Sequence, residues 1–282
     1  MKLDGREIAE KLYGELKERV GKLKKKKIVP HLVVILVGEN PASVAYVTLK
    51  QRKGEEIGAE VTILRYDTTV TTEELVEKVK LLNVDPYVHG ILIQRPLPDQ
   101  IDVDKLELTT DPEKDIDGFH PKSPYTLPLP LAVGKILEET YAQTKTPTKC
   151  KDWLQSKNIV LLGKGPTGGG PIIEYFKKLD VRPTLIDSKT KDPEKIMKQA
   201  DIVISAVGRK NTVIAKTLKK GVVLISVGIN RGENKKLHGD YEEDDIKDVA
   251  SYYTPTPGGV GPVNVAMLMD NLLTATEKQT SV

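Results

Sequence analysis

The 282-residue chain has a single cysteine, Cys150. A disulfide framework within the chain is thereby excluded, as is a zinc cluster built on cysteines, and the usage suits a reducing compartment. No metal site is expected. Long apolar runs are also missing: none approaches the ~20 residues that a membrane-spanning helix needs. The opening Met1-Lys2-Leu3-Asp4-Gly5-Arg6-Glu7 has no apolar signal core. The expected location is the cytoplasm, with no membrane partner. No excess of one charge sign stands out, since 43 basic and 40 acidic residues leave a net +3. The lysine-rich stretch 22–27 is short and reads as a solvated helix end rather than a nucleic-acid patch, so no nucleic-acid partner is expected. Internal repeats and low-complexity tracts are absent, although the two halves echo each other in their αβ rhythm.

At 39% hydrophobic and 29% charged residues, the chain can build real cores and remain soluble. Its length allows one large domain or two modest ones. Asp4 is placed to cap a helix over 5–24, where Ile8, Leu12, Leu16 and Val20 give one apolar face. The continuous β-branched run His31-Leu-Val-Val-Ile-Leu-Val37 predicts a strand buried on both faces. A helix follows over 43–57 with Gly58 as its stop, then a strand over 61–66. Thr71-Thr72-Glu73-Glu74 opens another helix as a capping box. A short buried strand over 88–94 ends at Pro96-Leu97-Pro98. Four prolines (Pro121, Pro124, Pro128, Pro130) mark an irregular connection, followed by a short helix over 131–141 and a polar break over 144–149. Beyond it lie strands over 158–162, 183–186, 201–206 and 222–227, helices over 172–179 and 263–275, and a rigid loop over 254–262. Such alternation predicts an α/β chain of two αβα domains with parallel sheets. The expected division is 1–121 for the first domain, with the C-terminal helix 263–282 packing back onto it, 122–149 for the connection, and 150–262 for the second domain.

Ligands of parallel sheets sit beyond the carboxyl ends of the strands. At one such end, Gly163-x-Gly165-x-x-Gly168 follows a buried strand and precedes a helix. Small residues there allow a tight turn and close approach of a pyrophosphate to backbone N–H groups at a helix N-terminus. The same glycines also suit a plain tight turn. Asp187, 24 residues after Gly163, is placed to accept hydrogen bonds from a ribose diol, which favours NAD, or to serve as a cap or solvated loop residue. Ser188 and Lys189 are suited to a 2′-phosphate, which favours NADP. In the first half, Tyr46 and Lys50 stand four apart on one helix face, with Lys53 nearly on the same side. A lysine partly desolvated at a sheet end has a lowered pKa and can trade protons. Gln94, ending the neighbouring strand, can hydrogen-bond an amine while leaving it uncharged. Asp117, in Asp115-Ile-Asp117-Gly118-Phe119, suits a ligand with adjacent N–H donors.

The chain resembles the bifunctional methylenetetrahydrofolate dehydrogenase/methenyltetrahydrofolate cyclohydrolase family. The resemblance rests on Leu3-Asp4-Gly5, Val37-Gly-Glu-Asn-Pro-Ala-Ser43-x-x-Tyr46-x-x-x-Lys50, His89-Gly90-Ile-Leu-Ile-Gln94-Arg-Pro-Leu-Pro98, Asp111-Pro-x-Lys-Asp-Ile-Asp117-Gly-Phe-His-Pro121, Gly228-Ile-Asn-Arg231, Gly239-Asp240 and Pro257-Gly-Gly-Val-Gly-Pro262. These span nearly the whole chain in the family's order. The resemblance implies NAD(P)-dependent oxidation of 5,10-methylenetetrahydrofolate, then hydrolysis of the methenyl product to 10-formyltetrahydrofolate, with Lys50 as general acid/base. A chain with one of the two activities alone is the alternative. Tyr46 would stack on or orient the folate, Gln94 would hold Lys50 in its working protonation state, and Asp117 would bind the pterin amino edge. Ile93 and Arg95 would touch the substrate, and Pro257, Gly258, Gly259, Val260 and Gly261 would line the folate site, a cleft between the domains. Gly163, Lys164, Gly165, Gly168, Gly169, Asp187, Ser188, Lys189 and Ile229 would contact the dinucleotide on a Rossmann-like second domain. NADP is the implied cofactor, with NAD allowed by Asp187. A homodimer, a place in purine biosynthesis and no further synthase domain beyond Val282 are also implied.

Four features depart from the family pattern. The connection after His120-Pro121 is compressed to 122–127, with Pro128-Leu129-Pro130 in place of the usual Pro-Cys-Thr-Pro. The usual Gly-Arg-Ser of the phosphate loop is Gly163-Lys164-Gly165, which keeps a cation and loses a hydroxyl. Asp187 puts a carboxylate beside a phosphate site. Asn264 replaces the family's threonine.

Overall fold

The computed structural model describes residues 1–232 and 236–281; Val282, the last residue of the expected C-terminal helix, lies outside them. Two compact units emerge, one of Lys11–Pro128 with Val265–Val282, the other of Met1–Glu10 with Leu129–Asn264. The chain begins with α1 (Gly5–Lys25), β1 (His31–Val37), α2 (Pro41–Ile57), β2 (Glu60–Tyr66), α3 (Thr72–Val84), β3 (Gly90–Ile93) and α4 (Val103–Thr109). Strands β2, β1 and β3 form a parallel sheet in that order, with β1 central. That position explains its composition: Leu32, Val34 and Ile35 are fully buried, as a strand covered on both faces requires. The expected local signals are present. The side chain of Asn40 accepts the N–H groups of Ala42 and Ser43 and caps α2, and Gly58 ends that helix at φ 91°. The Thr71/Glu74 capping box opens α3.

Next come α5 (Pro128–Thr144), α6 (Cys150–Gln155), β4 (Ile159–Leu162), α7 (Gly169–Lys178), β5 (Thr184–Ile186), α8 (Pro193–Met197), β6 (Ile202–Ser205), β7 (Val223–Ser226), β8 (Asn230–Arg231), β9 (Leu237–His238), α9 (Glu243–Ile246), β10 (Tyr252–Tyr253) and α10 (Val260–Gln279). A five-stranded parallel sheet runs β10-β7-β6-β4-β5. Counted from β4, this is the doubly wound order 2-1-3-4-5, whose switch point falls between β4 and β6. The two-domain α/β reading with parallel sheets therefore holds, and the second sheet has a dinucleotide-binding topology.

Several elements differ from the sequence reading. The helix expected over 131–141 is longer, because Pro128 and Pro130 sit in its first turn, where a missing N–H costs nothing. The short elements α4, α6, α8, α9, β8, β9 and β10 were not predicted. The first residues join the second unit through the backbone: Leu3 N–H donates to Tyr253 O at 2.8 Å, and Tyr253 N–H donates to Met1 O at 3.1 Å. A Cβ on Gly5 would stand 1.8 Å from Gly259 O, so the Leu3-Asp4-Gly5 motif packs backbone on backbone.

Candidate active site

In the first unit, the residues singled out in the sequence gather at the carboxyl ends of β1 and β3. Capping by Asn40 starts α2 immediately after β1, and Lys50 falls on the helix face shared with buried Ser43, Val47, Gly54 and Ile57. Lys50 is only 6% exposed. Its Nζ donates to Gln94 Oε1 at 3.0 Å and lies 4.9 Å from the centre of the Tyr46 ring. Gln94 in turn donates from Nε2 to the Arg95 carbonyl at 2.6 Å, which turns its amide oxygen toward the lysine. Its backbone N–H donates to Ile35 O at 2.9 Å, so the side chain is anchored to the central strand. Burial lowers the pKa of Lys50 from the usual lysine value, with the charge of Asp117 acting in the opposite sense. Burial raises the carboxyl pKa of Asp117, opposed by Lys50 and Arg95. An amine with a neutral amide acceptor and a desolvated surround gives up its proton more readily than an ordinary lysine.

Asp117 is set by its own turn and by α10. Asp115 is buried and accepts N–H groups from Gly118 at 3.1 Å and His120 at 2.7 Å. Gly118 takes φ 78°, and a Cβ there would stand 2.9 Å from Tyr125 O. Asn271, buried on α10, donates from Nδ2 to both Ile116 O and Thr126 O at 2.9 Å. Asn271 was missed by sequence reasoning, because an asparagine inside an apolar helix gives no local sign of the carbonyls it serves. The Arg95 guanidinium lies 4.3 Å from the Phe119 ring centre and pairs with Glu107. A small pocket beside Asp117 is lined by Ile91, Ile93, Glu107, Thr110, Asp115 and Phe119. Lys53 is not part of this group: it pairs with Glu56 at 2.8 Å and lies over Tyr13.

In the second unit, Gly163 ends β4 at φ 88°, with its N–H donating to Ile186 O at 2.9 Å. A Cβ on Gly169 would stand 2.0 Å from Gly163 O, so this glycine lets α7 seat on the loop. Gly165 differs: no atom lies within 4 Å of its Cβ position, leaving the open space that a pyrophosphate needs. This cradle at a helix N-terminus, beside the switch point, fits a dinucleotide. Asp187 follows β5 and is bound on several sides. It pairs with Lys164 at 2.8 Å and accepts the Lys189 N–H at 2.9 Å, which holds its carboxyl at about 2. Ser188 and Lys189 are exposed, and Ile229 is 55% exposed. In the 254–262 loop, Gly258 adopts φ 105° against the Arg6 guanidinium, and Gly259 lies close under Pro255 O; Gly261 has open space. Among the described residues no group of three or more His, Cys, Asp or Glu could hold a metal ion, and no helix is long and apolar enough to cross a membrane.

Two family models match the chain. The catalytic domain of tetrahydrofolate dehydrogenase/cyclohydrolase matches residues 3–117, and the NAD(P)-binding domain of the same family matches residues 139–280. The bifunctional protein FolD of Lactococcus lactis is 38% identical over 98% of this chain and 97% of its own length. That of an Exiguobacterium species is 40% identical over 95% and 96%. The crystal structure of the Campylobacter jejuni bifunctional enzyme FolD superposes with a TM-score of 0.91 at 35% identity, covering 99% of both chains. A Trypanosoma brucei methylenetetrahydrofolate dehydrogenase-cyclohydrolase, solved with NADP cofactor and an inhibitor, reaches 0.89 at 30% identity, over 100% of this chain and 99% of its own. The chain therefore belongs to the tetrahydrofolate dehydrogenase/cyclohydrolase family, with both the catalytic and the NAD(P)-binding domain present.

Proposed function

We propose that this chain oxidises 5,10-methylenetetrahydrofolate with a nicotinamide dinucleotide and then hydrolyses the methenyl product to 10-formyltetrahydrofolate. The observation that carries this reading is Lys50, buried and held by the amide of Gln94 instead of a carboxylate. A salt-bridged lysine would keep its proton; this one can give it up.

When bound, the nicotinamide supplies the hydride acceptor. No protein base is required for that step, because the lone pairs of N5 and N10 drive hydride off the carbon between them, and the chain's task is positioning. Tyr46 and Asp117 perform it, Tyr46 against the folate rings and Asp117 at the N–H edge of the pterin. Ile93, Arg95 and residues 257–261 are further substrate contacts in this reading. Gly163, Gly165 and the N-terminus of α7 receive the pyrophosphate, Gly168 and Gly169 shape that loop, and Lys164, Asp187, Ser188, Lys189 and Ile229 complete the dinucleotide site. In hydrolysis, water adds to the methenyl carbon while neutral Lys50 takes a proton from it. The carbon–N5 bond then breaks, Lys50 returns a proton to N5, and a formyl group stays on N10 with one net proton released. We place the protein in the cytoplasm as a homodimer supplying formyl units for purine biosynthesis.

Purified protein given methylenetetrahydrofolate and NAD or NADP tests the proposal. Reduced nicotinamide should appear, with methenyl absorbance rising briefly and decaying. Failure to reduce either cofactor refutes the oxidation, and methenyl absorbance that accumulates without decay refutes the hydrolysis.

A further inference from the structure

Two large apolar side chains at the carboxyl end of the second sheet face solvent: Val207, 36% exposed after β6, and Ile229, 55% exposed after β7. Val207 stands next to the glycine loop, since a Cβ on Gly163 would lie 3.4 Å from its Cγ2 and 2.8 Å from Ala206 O. Both segments converge on one buried side chain. Asp240 is fully buried; its Oδ2 accepts the Val207 N–H at 3.1 Å and its Oδ1 accepts the Arg209 N–H at 2.9 Å. Gly208, between these donors, sits at φ 72°, the kind of turn that points neighbouring N–H groups toward one anion. Asp240 is itself held on both sides of its backbone, its N–H donating to Ser226 Oγ at 3.0 Å and its carbonyl accepting from Val213 at 3.0 Å. The second segment crosses at the same point: a Cβ on Gly228 would lie 2.2 Å from Gly208 N and 2.4 Å from Asp240 Oδ2, and Asn230 Nδ2 donates to Gly208 O at 3.3 Å. A carboxylate suits this place because it accepts on both oxygens, whereas an amide would turn N–H2 against one of the two donors.

We propose that Asp240 is a positioning residue for dinucleotide binding: it clamps the 207–209 backbone beside the β4/β6 switch point, so that Val207 and Ile229 form an apolar wall against the bound cofactor. This rests on the dinucleotide reading of the glycine loop. The Asp240 carboxylate touches neither substrate nor cofactor and acts through the placement of Val207.

Titration calorimetry of NAD and NADP on the whole protein tests this, with dehydrogenase kinetics alongside. Asp240→Asn should weaken dinucleotide binding and raise its KM about tenfold, the factor expected for one lost hydrogen bond to a charged group, with kcat much less affected. Hydrolysis of supplied methenyltetrahydrofolate should stay near the level of the unaltered protein. Val207→Ala and Ile229→Ala, both on exposed side chains, should each weaken binding without lowering the melting temperature. The Val207→Ala effect should shrink in the Asp240→Asn background, because a displaced wall has less to lose. Additive effects, or unchanged affinity in Val207→Ala and Ile229→Ala, would overturn the proposal; these two variants decide it even if Asp240→Asn fails to fold. If the unaltered protein binds neither dinucleotide, the reading of the glycine loop falls and this inference falls with it.

Discussion

Lys50 and Lys164 carry the same group into opposite circumstances. Lys50 is enclosed beside a neutral amide, and burial lowers its pKa from the lysine value of 10.5. Its neutral form, the one active in the proposed hydrolysis, grows as pH rises through that lowered value, so hydrolysis should climb with pH over that range. Lys50→Met should abolish hydrolysis and spare part of the hydride transfer; equal loss of both in folded protein would remove the assigned role. The stability consequence has the same sign. Between the lowered folded pKa and 10.5 the unfolded chain holds the extra proton, so this residue's contribution rises with pH, a slope that Lys50→Met should erase. Lys164, by contrast, is exposed and paired with an Asp187 that stays ionised down to about 2. Such a surface pair adds little stability, but in the proposed dinucleotide site its carboxylate would repel a 2′-phosphate. Asp187→Ser should free Lys164, remove that repulsion and raise the kcat/KM ratio of NADP to NAD by about tenfold or more, the scale of one charge contact. An unchanged ratio would show that Asp187 is not at the ribose.

Among elements, α7 separates glycines with packing tasks from glycines with open space. Gly169 faces the carbonyl of Gly163 at a distance no Cβ tolerates, whereas Gly165 faces nothing. Gly169→Ala should displace α7, lower the melting temperature by several degrees, consistent with about 1–3 kcal/mol of overpacking, and abolish NAD(P) reduction. Gly165→Ala should leave the melting temperature unchanged and raise the dinucleotide KM. A Gly165→Ala protein with normal KM would place the pyrophosphate elsewhere. The long elements were legible because their signals are local. Asn40 and Gly58 bound α2, Thr71 and Glu74 open α3, and the apolar run of β1 reports burial on both faces. The elements that escaped, such as α4, α6, α8 and β10, have two to seven residues. Pieces that short lack a helical period and exist through tertiary contacts; β10, for example, is a strand because Tyr252 and Tyr253 pair with Val223 and Leu224.

At the scale of the whole chain, the proposed functional residues divide between the two units. Lys50, Gln94 and Asp117 lie in one, and the glycine loop, Asp187 and Asp240 in the other. The homodimer proposal has a direct check: light scattering should give twice the 31.2 kDa of the chain, and a mass of one chain at micromolar concentration would refute it. The sequence by itself determined the alternation of strand and helix, the caps, the glycine loop and the family, because each is written in adjacent residues or in motifs of fixed short spacing. Only the tertiary structure decided the electrostatic state of Lys50, the anchoring of the Asp117 turn by Asn271, and the clamp that Asp240 places on residues 207–209. Each of those depends on groups 31 to 155 positions apart, and neither burial nor the aim of a hydrogen bond at such separations leaves a periodic trace along the chain.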